Sequence, residues 1–184
     1  MKNLMWCAVV CLAIPAFVAA QRQTTFPGLS PYNREVLNAA RQITPIPLPT
    51  WIPAGFTVEK VNVKLGSTVA IEDRVLAVIY SRKLENGKIQ RFSIEAGFEG
   101  LGDLPYDSTS SVRSAVGRID IAYQPPDLDG NGTKINDFAM THWFNVAKTA
   151  FHYDGMYGAK PNDRRHAMIT LADTRKILAS LKRF

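Results

Sequence analysis

Residues 75–95 read VLAVIYSRKLENGKIQRFSIE, and this stretch decides the fold. Asn86-Gly87 accepts the positive φ angles of a tight hairpin, and it lies between two runs rich in β-branched and aromatic residues. The runs 75–84 and 89–95 are therefore expected to pair as antiparallel strands. Upstream, Phe56, Val58, Val61 and Val63 recur with the period of a strand, which places a first strand before the hairpin.

Further toward the start, Pro45, Pro47, Pro49 and Pro53 remove backbone donors and hold the chain extended, so 44–53 is read as a linker or domain entrance. Before it, Ser30-Pro31 followed by Tyr32, Val36, Leu37 and Ala40 predicts a short helix with Ser30 as N-cap. Downstream, 97–103 is a glycine-rich loop, 111–123 alternates imperfectly, and 139–153 is one long aromatic-rich β-like stretch. Residues 165–171 are read as a last strand. Asp173 or Thr174 then caps a closing helix whose Ile177, Leu178, Leu181 and Phe184 share a face. Helix, hairpin-linked strands, then helix is an α+β order, since nothing alternates strand and helix as a parallel sheet requires. The expected architecture is an antiparallel sheet of about five to six strands with an N-terminal and a C-terminal helix packed on it.

The first 20 residues have the build of a cleavable export signal: Lys2, an apolar run over 4–18, and small residues Ala19 and Ala20. That run is shorter than the ~20 residues a bilayer-spanning helix needs, and no membrane span is expected. A periplasmic or secreted location follows. Removing the first 20 of 184 residues leaves 164, which divide into a helix and Pro-rich lead-in over 21–47 and an α+β domain over 48–184. Both cysteines, Cys7 and Cys11, leave with the signal, so disulfides and thiol chemistry are not expected in the mature chain. Loss of Lys2 takes the net charge from +6 to +5, with basic residues dispersed along the sequence. Dispersed charge serves solubility, and neither a nucleic-acid partner nor a basic membrane-binding patch is expected.

The segment LPTWIPAGF, 48–56, followed by a strand and a hairpin arm reading IQRFSIE, 89–95, and by the closing ILASLK, 177–182, resembles an extracytoplasmic domain of unknown function. That domain ends many bacterial anti-sigma-factor-like envelope proteins and is distantly related to the sigma-E regulatory and lipoprotein-carrier group. The resemblance covers 48–184. It implies a sheet with helices that senses or binds something in the envelope, and it carries no catalytic residues across.

Asp127, Asp129 and Asn131 stand at alternate positions with Gly132 sixth, as in the first half of an EF-hand calcium loop, and Thr133 and Asp137 add further oxygens. The twelfth position holds Phe138 instead of a bidentate Glu, and Pro125-Pro126 stand where a helix should end. Two readings follow for these residues, a Ca2+ loop or a polar turn between strands. His142, His152 and His166 lack a metal-ligand spacing. In 141–145, His142 and Phe144 share one strand face and Trp143 takes the other. Glu95 with Glu99, and Asp103 with Asp107, are read as solvated acids without a partner base. No nucleophile elbow, phosphate loop, dinucleotide fingerprint or His-Glu-x-x-His motif is present. The sequence thus points to a non-enzymatic envelope module that binds an apolar small molecule or a peptide between sheet and helices. The alternatives are a structural or interaction partner of another envelope protein, and a hydrolase with an unrecognised site.

Overall fold

The computed structural model describes residues 25–99, 101–102, 109–125, 127–128, 134–135, 138–158 and 165–184. Residues 1–20, where an export signal is expected, and Asp103 and Asp107 lie outside them. The chain is α+β. Helix α1 (Pro31–Ala40) begins where the sequence places it: Ser30 Oγ accepts the Asn33 N–H at 3.1 Å, and Pro31 occupies the first turn. Its buried face carries Asn33, Leu37 and Ala40, and Asn33 Nδ2 donates to the Val58 carbonyl at 3.4 Å. The helix thereby packs against β2 (Thr57–Lys64) and shares one core with the sheet.

The hairpin of β3 (Val75–Lys83) and β4 (Ile89–Gly97) forms as expected, in register from Ala77↔Glu95 to Lys83↔Ile89. Its turn is one residue longer than a two-residue Asn-Gly turn. Leu84 N–H donates to the Lys88 carbonyl at 2.8 Å, enclosing Glu85, Asn86 and Gly87, and only Gly87 takes positive φ, at +79°. Asn86 contributes through its side chain, whose Oδ1 accepts from Lys88 N–H at 3.1 Å.

Downstream come β5 (Ser110–Ser114), β6 (Gly117–Gln124), the short pair β7 (Asp127–Leu128) and β8 (Lys134–Ile135), then β9 (Phe138–Thr141), β10 (Phe144–Val146) and β11 (Thr149–Asp154). The order in the main sheet is β2-β3-β4-β11-β9-β6-β5, with β10 also pairing with β11, and every pairing is antiparallel. The sheet has eight strands because the aromatic stretch 139–153 divides into three. It breaks at His142-Trp143 and again at Ala147-Lys148, where Ala147 has φ +56°.

Alternation sorts the residues onto two faces. The inner face carries Val78 and Tyr80 on β3, Phe92 and Ile94 on β4, and Phe151 and Tyr153 on β11, all fully buried with the helices over them. Tyr80 stacks on Phe92 at 4.5 Å and 5°, and Tyr153 and Phe56 pack on the same Phe92 ring at 5.4 and 5.3 Å. Fully burying an aromatic ring of this kind contributes on the order of 1.5–3 kcal/mol.

The final segments differ from expectation in three ways. Residues 165–171 make no strand; His166 forms a single parallel bridge to Ile89, and the chain then runs to Thr170, whose side chain caps α2 (Leu171–Ala179) by accepting from Asp173 N–H at 3.1 Å. The cap is thus Thr170, ahead of Asp173 and Thr174. The helix ends at Ala179, and Leu181 and Phe184 belong instead to β12 (Leu181–Arg183) and the residue after it. The Pro-rich segment is the partner of that strand: β1 (Pro47–Pro49) pairs with β12, Leu48 opposite Lys182. The ribbon tolerates its prolines because the bonding positions alternate with them, Phe184 N–H donating to Ile46 O at 2.9 Å and Thr50 N–H to Ser180 O at 3.2 Å. Ser180 stops the helix and fastens the entrance. Its Oγ accepts from Trp51 N–H at 3.1 Å and lies 3.2 Å from Trp51 O.

Candidate functional site

Two places on the molecule hold side chains that packing alone does not use up. The first is an open cleft of about 190 Å³ lined by Ile43, Leu65, Gly66, Ser67, Arg74 and Phe98. Ile43 follows α1, its N–H bonded to Ala40 O at 3.0 Å, while Leu65 and Phe98 are the first residues past β2 and β4. The cleft therefore sits where the end of α1 meets the ends of two strands. Ile43 is 59% exposed there. Arg74 turns its Nε to Val69 O at 3.2 Å, which leaves the lining mainly apolar with one cation at the rim.

The second place is the outer face of the sheet, where β4 and β11 run side by side. Register places Glu95 opposite His152 and Ser93 opposite Asp154. Ser93 Oγ donates to Glu95 Oε1 at 2.6 Å, and His152 Nε2 lies 3.5 Å from Glu95 Oε2. Burial raises the pKa of the Glu95 carboxyl, but the hydrogen bonds from His152 and Ser93 outweigh it and hold the group below its ordinary value. Asp154 is pushed the other way, chiefly by burial, against the Met156 N–H that donates to Oδ1 at 2.7 Å. Trp143 covers this network: its ring lies 4.6 Å from the His152 ring, and its Nε1 donates to Gly102 O at 3.0 Å. Gly97 makes room for it, since a Cβ there would run into Leu101 and the Trp143 ring. Next to the network, Arg91 grips Glu59 with two bonds of 2.7 and 2.9 Å.

The structure therefore corrects the view of Glu95 as a solvated acid without a partner base. It lies on a strand, half-buried, with His152 across from it. The usable signal was Ser93-x-Glu95 and His152-x-Asp154, two polar pairs at strand period in otherwise apolar runs. Glu99 is exposed and apart from it. The three histidines occupy separate surroundings. His142 N–H donates to Asp120 O at 3.1 Å, with its Nε2 buried, and His166 Nε2 lies 3.3 Å from Arg91 Nη1. Among the described residues no group of three His, Cys, Asp or Glu is placed to hold a metal ion. Of the calcium candidates, the Asp127 backbone lies in β7, paired with Ile135 of β8, while Asp129, Asn131, Thr133 and Asp137 lie outside the described residues. No family model matches the chain, and no curated protein or solved structure matches it. No helix among the described residues is long and apolar enough to cross a membrane.

Proposed function

We propose that this chain is an exported, non-enzymatic binding or sensing module of the cell envelope, which takes an apolar small molecule or an apolar side chain of a peptide in the cleft beside Ile43. The observation that carries the proposal is that cleft: apolar side chains converge at the junction of α1 with the sheet, and Ile43 is left 59% exposed at its mouth. Apolar lining with one polar anchor, here Arg74, is the usual make-up of a small-molecule site. At about 190 Å³ the cleft holds one side chain or the end of an acyl chain rather than a whole lipid. Export is proposed from the signal-like residues 1–20, and the likeness of 48–56 to the envelope domain supports the same compartment.

A neutral apolar dye, N-phenyl-1-naphthylamine, tests the cleft. Its fluorescence is expected to rise along a saturating one-site curve, and Ile43→Asp is expected to abolish the rise. Leu101→Asp, which alters another exposed apolar residue outside the cleft, serves as control. A dye signal that never saturates, or one lost equally in both variants, removes the proposal. The intact mass of the protein recovered from its native host tests export, with a mature chain beginning at Gln21 as the expected result.

A further inference from the structure

Six cations, scattered in the sequence, gather in space on the two helices and the closing ribbon. Arg34 and Arg41 lie on and just after α1, Arg175 and Lys176 on α2, and Lys182 and Arg183 on β12; the only acids in these segments are Glu35 and Asp173. All six are exposed. Among the described residues, the ion pairs belong to other side chains, those of Lys64, Arg91, Arg118 and His152.

Contacts at each end of the ribbon line Arg34, Arg41 and Lys176 up along it as a strip. At one end Phe184 is fixed by its N–H to Ile46, and its ring lies under the guanidinium groups of Arg34 and Arg41, at 5.9 and 5.4 Å. At the other, Ser180 holds Trp51, whose ring lies under Lys176 Nζ at 5.5 Å. Lys182 and Arg183 stand between, opposite Leu48 and Pro47. The aromatic rings hold three cations in place ahead of any partner, which reduces the ordering cost of binding.

We infer that this strip docks the protein on a bilayer surface bearing anionic phospholipid headgroups. Net positive charge without acidic partners sets the sign of the surface. Trp51, 38% exposed among the cations, supplies the amphipathic ring that settles at headgroup level. The choice of a bilayer over a nucleic acid rests on the export reading.

Co-sedimentation tests the inference, using protein purified as cells process it. Vesicles of phosphatidylcholine mixed with phosphatidylglycerol are compared with pure phosphatidylcholine, which also separates any binding by the apolar stretch 4–18 from binding by charge. The protein is expected to partition onto the anionic vesicles and to be released by salt. Replacing Arg34, Arg41, Lys182 and Arg183 by Gln is expected to weaken partitioning by about fivefold per cation. A control that replaces the exposed Lys83, Lys88, Arg113 and Lys148 by Gln removes the same charge elsewhere and is expected to leave most of the binding. If the fourfold strip variant does not fold, Lys182→Gln with Arg183→Gln, neither of which stacks on a ring, carries the comparison. Equal partitioning to both vesicle types, equal loss in strip and control variants, or tighter binding to a DNA duplex than to the anionic vesicles overturns the inference.

Discussion

Glu95 and His152 face each other across β4 and β11, with Nε2 3.5 Å from Oε2, while Ser93 holds the other carboxylate oxygen at 2.6 Å. Together with Asp154, they give this half-buried face two carboxyls whose titrations are driven apart by their surroundings. Glu95 has its folded pKa lowered, because the His152 and Ser93 bonds outweigh burial. Its contribution to stability is therefore present above the ordinary carboxylate value and is lost as pH falls through the folded value. Asp154 has its folded pKa raised, first by burial. Its ionisation therefore opposes folding, an effect absent below the ordinary value that grows as pH rises through the folded one. Urea unfolding from pH 3 to 7 is expected to show Glu95→Gln destabilised at neutral pH, with the difference shrinking in acid. Asp154→Asn, which keeps an acceptor for Met156 N–H, is expected to be more stable than the parent at pH 7 and equal to it in acid. A pH-independent difference for both variants would refute this account.

Two buried tyrosines should respond oppositely to loss of their hydroxyls. Tyr80 Oη is buried with no hydrogen-bond partner among the described residues, whereas Tyr153 Oη is 3.2 Å from Thr174 Oγ1 and ties α2 to the sheet. Burial raises the pKa of both, so each stays a neutral phenol. Tyr80→Phe removes an unsatisfied group and is expected to gain about 1 kcal/mol, while Tyr153→Phe strands Thr174 and is expected to lose about 1 kcal/mol. Denaturant midpoints measure both, and the same sign for the two changes would count against the assignment.

Local chemistry made the start of α1 and the central hairpin legible in the sequence. Ser30-Pro31 caps a helix whatever follows it, and Asn86-Gly87 turns the chain between two strongly strand-forming runs. What stayed hidden depends on partners far along the chain. Leu181 and Phe184 fit a helical face, but Ser180 meets Trp51, 129 residues away, and the chain leaves the helix to pair with a Pro-rich segment that reads as a linker. For the same reason, Glu95 looked partnerless: His152 lies 57 positions on, and only the register of β4 with β11 joins them. The cationic strip was invisible because its members come from both ends of the chain.

Calcium can be tested independently of the rest. The Asp127 and Leu128 backbone pairs with Ile135 and Lys134, and Asp, Asn and Gly are the commonest residues of a polar turn between such strands. Millimolar Ca2+ added to chelator-treated protein is accordingly expected to leave the thermal midpoint unchanged. A bound ion at about 100 times its Kd would instead add about 2.7 kcal/mol, a shift large enough to restore the calcium reading.

Ala147 offers a test of the register that builds the outer-face network. It is the first of two residues joining β10 to β11, with Val146 opposite Thr149, and it takes φ +56°, where an L side chain is strained. The turn holds it there because Phe144 and Val146 are buried on one side and Ala150 and Phe151 on the other. A one-residue slip would bring His152 to the core face and Tyr153 to the surface. Glycine relieves the strain at some cost in the unfolded chain's added freedom, so Ala147→Gly is expected to stabilise the protein by roughly 0.5 kcal/mol. Ala147→Val adds a β-branch at the same angle and is expected to lose about 1–2 kcal/mol. Urea midpoints in the order Gly, Ala, Val bear out the turn; Val equal to Ala would mean that residue 147 does not adopt positive φ.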